Sequence, residues 1–471
     1  MDQQIVHMTA CEMRDAIATR TLSSREVVTA HLDRIVEVNP VVNAIVTLDP
    51  DGALDAADSA DHALAAGRSL GPLHGLPITI KDTHATAGMR TTSGSLLFAD
   101  HVPDTDHEIV RRIGDAGAIR LGKTNVPEMA AGSHTFNSLF PTTVNPYDPT
   151  RSAGGSSGGA AAALAARMTP LADGSDMGGS LRNPASFCNV VGMRPTPGTV
   201  PNPTGTIGFS PLGVLGPMGR TVNDVALLLS VMAGGHPADP LSAGRRAPEM
   251  DADVAALSGL RIAWAPTLGD RIPVEPEVLK VLETFVGSLA AHRTDIELAC
   301  PNVDLAERVF RDLRAAEFAL ELSHSLATHP EAFKPDLAWN IRCGQELCAE
   351  DIVTAFRDLT TLHRTAADFF TTYDVLLAPV SQVVPFDATL AYPPEVDGVA
   401  QHTYLDWMRA CYLFTPLGIP ALSVPVGFTD TGLPVGLQVL TAAHTERRLL
   451  SIGRAVEALS PAAGVAPSII N

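Results

Sequence analysis

Two serines and a lysine carry the chemistry this sequence suggests first. Ser156 lies in the glycine-rich loop "AGGSSGG" (153–159), and Ser180 in a second such loop, "DMGGSLR", 24 residues further on. Lys81 ends "GLPITIK", which reads as a strand. A serine hydroxyl is a poor nucleophile until a neighbour takes its proton. A lysine amine can take that proton only when neutral, a state that burial favours. A second hydroxyl both donates and accepts, so it can pass a proton between the two. Met177, Gly178, Gly179 and Ser180 supply consecutive backbone N–H groups ahead of "SLRNPASFC", which reads as a helix. Such a nest holds an anion or a developing oxyanion. The same glycines also suit a plain turn or a phosphate cradle. Each feature alone decides little; their conjunction favours a nucleophilic serine.

The elements around these loops argue that the glycines are not slack. A flexible linker is flanked by polar, unpatterned chain. Here the flanks are the helix former "AAAALAARM" and the apolar strand "TPLA". Glycines between ordered elements permit positive φ or close backbone approach. Further upstream, Thr9 with Glu12 and Ser23 with Glu26 match capping boxes that open two helices. In the second, Val27, Val28, Leu32, Ile35 and Val36 are expected to share a face. In the lysine strand Ile78 and Ile80 point one way, Thr79 and Lys81 the other. "HEIVRRIGDAG" reads as a helix and "AIRLGKT" as a strand. This alternation predicts an α/β fold with a largely buried sheet covered by helices.

Residues 234–254 form a polar, Pro- and Gly-rich excursion. A strand "RIAWAP", a helical region over about 270–370 and a strand "YDVLLAPVS" follow. "ALSVPVGF" and "LPVGLQVL" flank "TDTG" as a hairpin or bulged turn. The late strands are expected to join the first sheet, giving one domain over 1–471. It comprises N-terminal helices (1–65), a core (about 70–235), the excursion, the helical region, and C-terminal strands with a helix (371–471).

The 471 residues are 45% hydrophobic and 18% charged, with a formal net charge of −19. So acidic a surface repels phosphate backbones and anionic lipid, which argues against nucleic-acid and membrane partners. The six cysteines are scattered at 11, 188, 300, 343, 348 and 411 and read as reduced core residues. No H-E-x-x-H or nucleotide-binding loop occurs, so neither a metal nor a cofactor is expected. The N-terminus lacks the features of a signal peptide, and the longest apolar run falls short of the ~20 residues that span a bilayer. A cytoplasmic protein is the expectation.

"GLPITIKD", "GKTNVPE", "GGSSGG", "DMGGSLRNPASFCNVVGMRPT", "GPMGRTVNDVALLL", "YDVLLAPV" and "GIPALSVPVGF…GLPVGLQVL" together resemble the amidase signature family over nearly the whole chain. The resemblance implies a mixed central sheet with helices on both faces. It implies amide hydrolysis without a cofactor, by a Ser–Ser–Lys triad: Ser180 as nucleophile, Ser156 as bridge on a cis peptide bond, Lys81 as base. The N–H groups of Met177, Gly178, Gly179 and Ser180 would form the oxyanion hole, with Ser157, Asp176 and Arg182 as supports. The chain departs from the family's common K-D-N or K-D-x-I in reading "KDTHATAG", which puts His84 near the site, where it is expected to be a satisfied or surface histidine. The family's glutamyl-tRNA(Gln) amidotransferase A subunits typically carry S-L-D-Q before "GPM". The segment here is "SPLGVLGPMGRT", which favours a free-standing amidase over that alternative. An ester or carbamate hydrolase on the same triad, and a non-catalytic subunit, are the other readings. The partner is then a small-molecule amide, with a homodimer left open. Pocket walls are expected from residues 128–140 and from around Trp339, Arg342 and Trp407, and their apolar character suggests a neutral acyl group.

Overall fold

The computed structural model describes residues 2–68, 71–247, 257–290 and 295–470. Eleven strands build one sheet: β1 (Ile45–Leu48), β2 (Pro77–Lys81), β3 (Ile119–Thr124), β4 (Leu171–Asp176), β5 (Val191–Arg194), β6 (Val214–Gly219), β7 (Arg261–Trp264), β8 (Asp295–Leu298), β9 (Val375–Pro379), β10 (Ala421–Phe428) and β11 (Pro434–Leu440). Their spatial order is β1-β3-β2-β4-β6-β5-β10-β11-β9-β7-β8. Strand β2 runs parallel to β3 and β4, and β7 parallel to β8 and β9; the remaining neighbours are antiparallel. The sheet is therefore mixed, as expected. Strands β2, β6, β9 and β11 are buried at every residue, the mark of a sheet covered on both faces. Thr79 and Lys81 accordingly lie as deep as Ile78 and Ile80.

Both capping boxes form, at Thr9–Glu12 and Ser23–Glu26. In the helix Ser24–Val42, Val27, Val28, Leu32 and Ile35 are buried, but Val36 is 72% exposed. The buried stripe continues through Val38 and Val42 instead, and one residue past Ile35 turns ~100° away from it. The helical region holds helices Pro276–Ala290, Ala306–Thr328, Pro335–Glu346 and Ala349–Thr372, and also the unforeseen strand β8. β10 pairs with β5 and β11 with β9, so the late strands continue the sheet begun at Ile45. Of the polar excursion, residues 234–247 form turns and loops, and 248–254 lie outside the described residues. No helix among the described residues is long and apolar enough to cross a membrane.

This topology places the three candidate residues. The adjacent parallel strands β2 and β4 end at Lys81 and Asp176. Sites in α/β sheets form outside such carboxyl ends. The helix Gly158–Ala165, buried at every residue, begins there just after Ser156 and Ser157. It seats against the backbone with no room for a side chain: a Cβ on Gly159 would lie 2.4 Å from the Asn125 nitrogen and 2.6 Å from the Ala44 oxygen.

Candidate active site

Lys81 is fully buried, and its Nζ is surrounded by hydroxyls. It donates to Ser156 Oγ at 2.8 Å, Ser157 Oγ at 3.0 Å and Ser175 Oγ at 2.8 Å. No ion pair to this amine is present among the described residues. Burial pulls its pKa from 10.5 down to about 7, against the opposing charges of Asp173 and Asp176. An ammonium offers three donors, and a neutral amine two donors and one lone pair. Three rotatable hydroxyls satisfy either form, so the amine changes protonation without any heavy atom moving.

Ser156 follows a cis peptide bond from Gly155. The loop is pinned on both sides: Thr135 Oγ1 donates to the Gly154 carbonyl at 2.8 Å, and the Ser157 N–H to the Ser180 carbonyl at 3.2 Å. A Cβ on Gly155 would lie 3.0 Å from the His134 nitrogen. Ser156 and Ser180 both line a cavity of about 370 Å³, together with Ser175, Asp176 and Met177.

Asp176 organises the second loop. Its carboxylate accepts from the Gly179 N–H at 2.9 Å, the Leu181 N–H at 3.2 Å, Arg182 Nε at 2.9 Å and Arg182 Nη2 at 2.8 Å. Arg194 also pairs with it, at 3.4 Å. Burial would raise this carboxyl, but the two guanidiniums hold it well below the usual range. Gly179 sits at φ +112°, and a Cβ there would lie 2.6 Å from Cys411 Cβ. Its N–H, one of the four expected to face an oxyanion, is thus turned to Asp176. The helix expected from Ser180 begins at Arg182, leaving Ser180 in the turn before it.

His84 is neither at the surface nor remote. It is 4% exposed, lines the same cavity, and its Nδ1 lies 2.5 Å from Asp173 Oδ2. The other Asp173 oxygen accepts the Lys81 backbone N–H at 2.7 Å, so one carboxylate ties the histidine to the lysine strand. The His107 ring lies 5.3 Å away, between centroids.

A family model described as Amidase matches residues 26–450. The chain belongs to the amidase signature family. Among its relatives, an acylamidase of Rhodococcus erythropolis is 36% identical over 473 residues, covering 99% of each chain. The A subunit of the glutamyl-tRNA(Gln) amidotransferase of Acidothermus cellulolyticus is also 36% identical, over 96% of this chain and 94% of that one. Among solved structures, a bacterial aryl acylamidase of the amidase signature family superposes with a TM-score of 0.90 at 26% identity, covering 96% of each chain. Membership makes this chain a hydrolase of amide C–N bonds.

Within this amidase signature fold, the cavity walls only partly match expectation. Met129 and Ala130 of the 128–140 segment do line it. Trp407 instead packs in the core, 5.2 Å from Phe386 between ring centroids, and Arg342 is exposed. Trp339 stands edge-on to Tyr404, outside the lining. Helix Ala306–Thr328 supplies the wall, through Arg314, Phe318, Glu321 and Leu322. Aromatic residues in an apolar segment pack into cores as readily as into pockets, and only the helix's placement separates the two.

Proposed function

We propose that this amidase cleaves a small-molecule carboxylic amide through a Ser180 acyl-enzyme, with Ser156 relaying the proton to a neutral Lys81. The observation that carries the reading is the Lys81 amine: buried, bonded to three hydroxyls and, among the described residues, to no carboxylate, and poised near pH 7. Ser180 Oγ attacks the carbonyl carbon while its proton passes to Ser156, whose own proton passes to Lys81. The oxyanion is assigned to the N–H groups of Met177, Gly178 and Ser180, since that of Gly179 is engaged by Asp176. The relay then runs backwards. Lys81 returns a proton through Ser156 to the leaving nitrogen as the C–N bond breaks. Water attacks the ester by the same route and releases the acid. Ser157 and Ser175 hold the lysine, while Asp176 and Arg182 hold the turn that presents Ser180.

The names of the Rhodococcus relative and the structural neighbour support acyl amides and acyl anilides as first substrates. The test is labelling and turnover together. The purified chain, with no ATP, tRNA or other protein added, should release aniline from a simple anilide, and EDTA should not inhibit it. Ser180→Ala should lose at least about 10³-fold in kcat, and a fluorophosphonate should map to Ser180. An adduct on any other serine would overturn the assignment. Strict dependence on added subunits would return the amidotransferase reading. Sizing the same sample checks the homodimer, and fractionating the source cells checks the cytoplasmic location.

A further inference from the structure

One residue of the cavity wall is chemically out of place beside a neutral amide. Arg314, on helix Ala306–Thr328, lines the cavity and is only 4% exposed. A guanidinium is always charged, and burying it without a carboxylate is costly. Yet no ion pair to Arg314 is present among the described residues. Its Nη2 donates to the Tyr404 hydroxyl at 2.8 Å, which in turn donates to Asn340 Oδ1 at 2.8 Å. Among the described residues its Nη1 meets only the Met177 sulfur, a weak acceptor, at 3.5 Å. Its Nε is buried and has no hydrogen-bond partner among the described residues. The group is held in place as well: its carbon centre lies 4.2 Å over the Phe318 ring. Four acids share its helix, Glu307, Asp312, Glu317 and Glu321, and none of them forms an ion pair with it among the described residues. Glu317 is engaged by the Ser210 hydroxyl, and Glu321 stands exposed where the helix borders the cavity. Through Met177, Arg314 also touches the loop that carries Ser180.

We propose that Arg314 is the recognition site for a carboxylate on the substrate, so that the amides this enzyme selects are anionic: monoamides of dicarboxylic acids or amides of that charge pattern. The inference rests on the amidase reading and deepens it by naming the substrate class. It replaces the neutral acyl group that the sequence suggested. A guanidinium held through Nη2 and stacked on one face keeps Nη1, which reaches Met177 of the cavity lining, for an anion there, and little rotamer entropy remains to be lost on binding.

The experiment compares two 4-nitroanilides of matched shape, the succinyl compound and its neutral 4-methylpentanoyl counterpart. Wild-type kcat/KM should favour the succinyl substrate by roughly tenfold to hundredfold, the range of a hydrogen bond to a charged group. Arg314→Gln should remove that preference, lowering kcat/KM for the succinyl substrate at least about tenfold more than for the neutral one. Arg314→Lys should recover only part of it. Equal turnover of both compounds by wild type, or an equal loss on both in Arg314→Gln, overturns the proposal while leaving the amidase reading intact. If Arg314→Gln does not fold, succinate against succinamide as competitive inhibitors of the wild-type protein decides instead. The acid should bind at least about tenfold tighter, and parity overturns the proposal. Calorimetric binding of both anilides to Ser180→Ala makes the same comparison with no turnover, so a failure of the chemistry cannot be mistaken for a failure of recognition.

Discussion

Lys81 titrates in the working range because burial, rather than a partnered charge, sets its pKa at about 7. The neutral fraction grows as pH rises through that value. Amide kcat/KM should therefore climb about tenfold per pH unit below it and level off above it. Lys81→Ala removes the acceptor and also the donor for the leaving nitrogen. It should depress amide hydrolysis more than hydrolysis of the aryl ester of the same acid, and the acidic limb should vanish. Equal loss on both substrates with the limb retained would show that another group is the base. Ser156, Ser180 and Lys81 were legible in the sequence because glycine loops and a strand end mark them locally. Ser175 was not, since it is an ordinary residue inside β4 until strand pairing sets it beside Lys81. The His84–Asp173 pair and Arg314 were hidden for the same reason: each depends on a contact between distant segments, and no local pattern announces such a contact.

Among the elements, the helix Gly158–Ala165 bears most directly on the site, because the residues just before it include Ser156. Its first turn fits only because Gly159 has no side chain. Gly159→Ala must push the helix off the ends of β1 and β3. It should cost about 1–3 kcal/mol of stability, read as a lower denaturant midpoint, and it should lower kcat more than it raises KM. A full-strength kcat would show that the loop tolerates the displacement. Elements with a local grammar were readable: the two capping boxes, the β2 strand, and the turn at "TDTG", where β10 and β11 pair with a bulge at Pro425–Gly427. Short β8 was not, because four residues in a helical stretch carry too little period to stand out. Val36 misled because an apolar residue beside a buried stripe is not thereby on it.

At the scale of the molecule, one sheet takes its strands from Ile45 at one end of the chain to Leu440 at the other. Arg182 reinforces that continuity, reaching from the signature loop to Gln438 Oε1 on β11 at 2.6 Å. Burying Lys81 in such a body also couples its proton to stability. The folded pKa is about 7 and the ordinary value 10.5, so between them the unfolded chain holds the extra proton. Stability from this site is then complete above the ordinary value and falls as pH drops toward about 7. The urea midpoint of wild type minus that of Lys81→Met should rise between pH 7.5 and 9.5; a flat difference would place the amine's pKa elsewhere. The outermost strand has a different consequence. β8 closes one side of the sheet, and Leu298 on it is 79% exposed. A strand edge that no described residue pairs is a template for another chain, and Asp295 and Glu297, the latter accepting the Tyr373 hydroxyl at 2.9 Å, set negative charge along this one. Two such edges repel when molecules meet. Replacing both acids with threonine should leave the catalytic constants unchanged but make the protein precipitate on concentration, with salt hastening the same fate in the wild type by screening those charges.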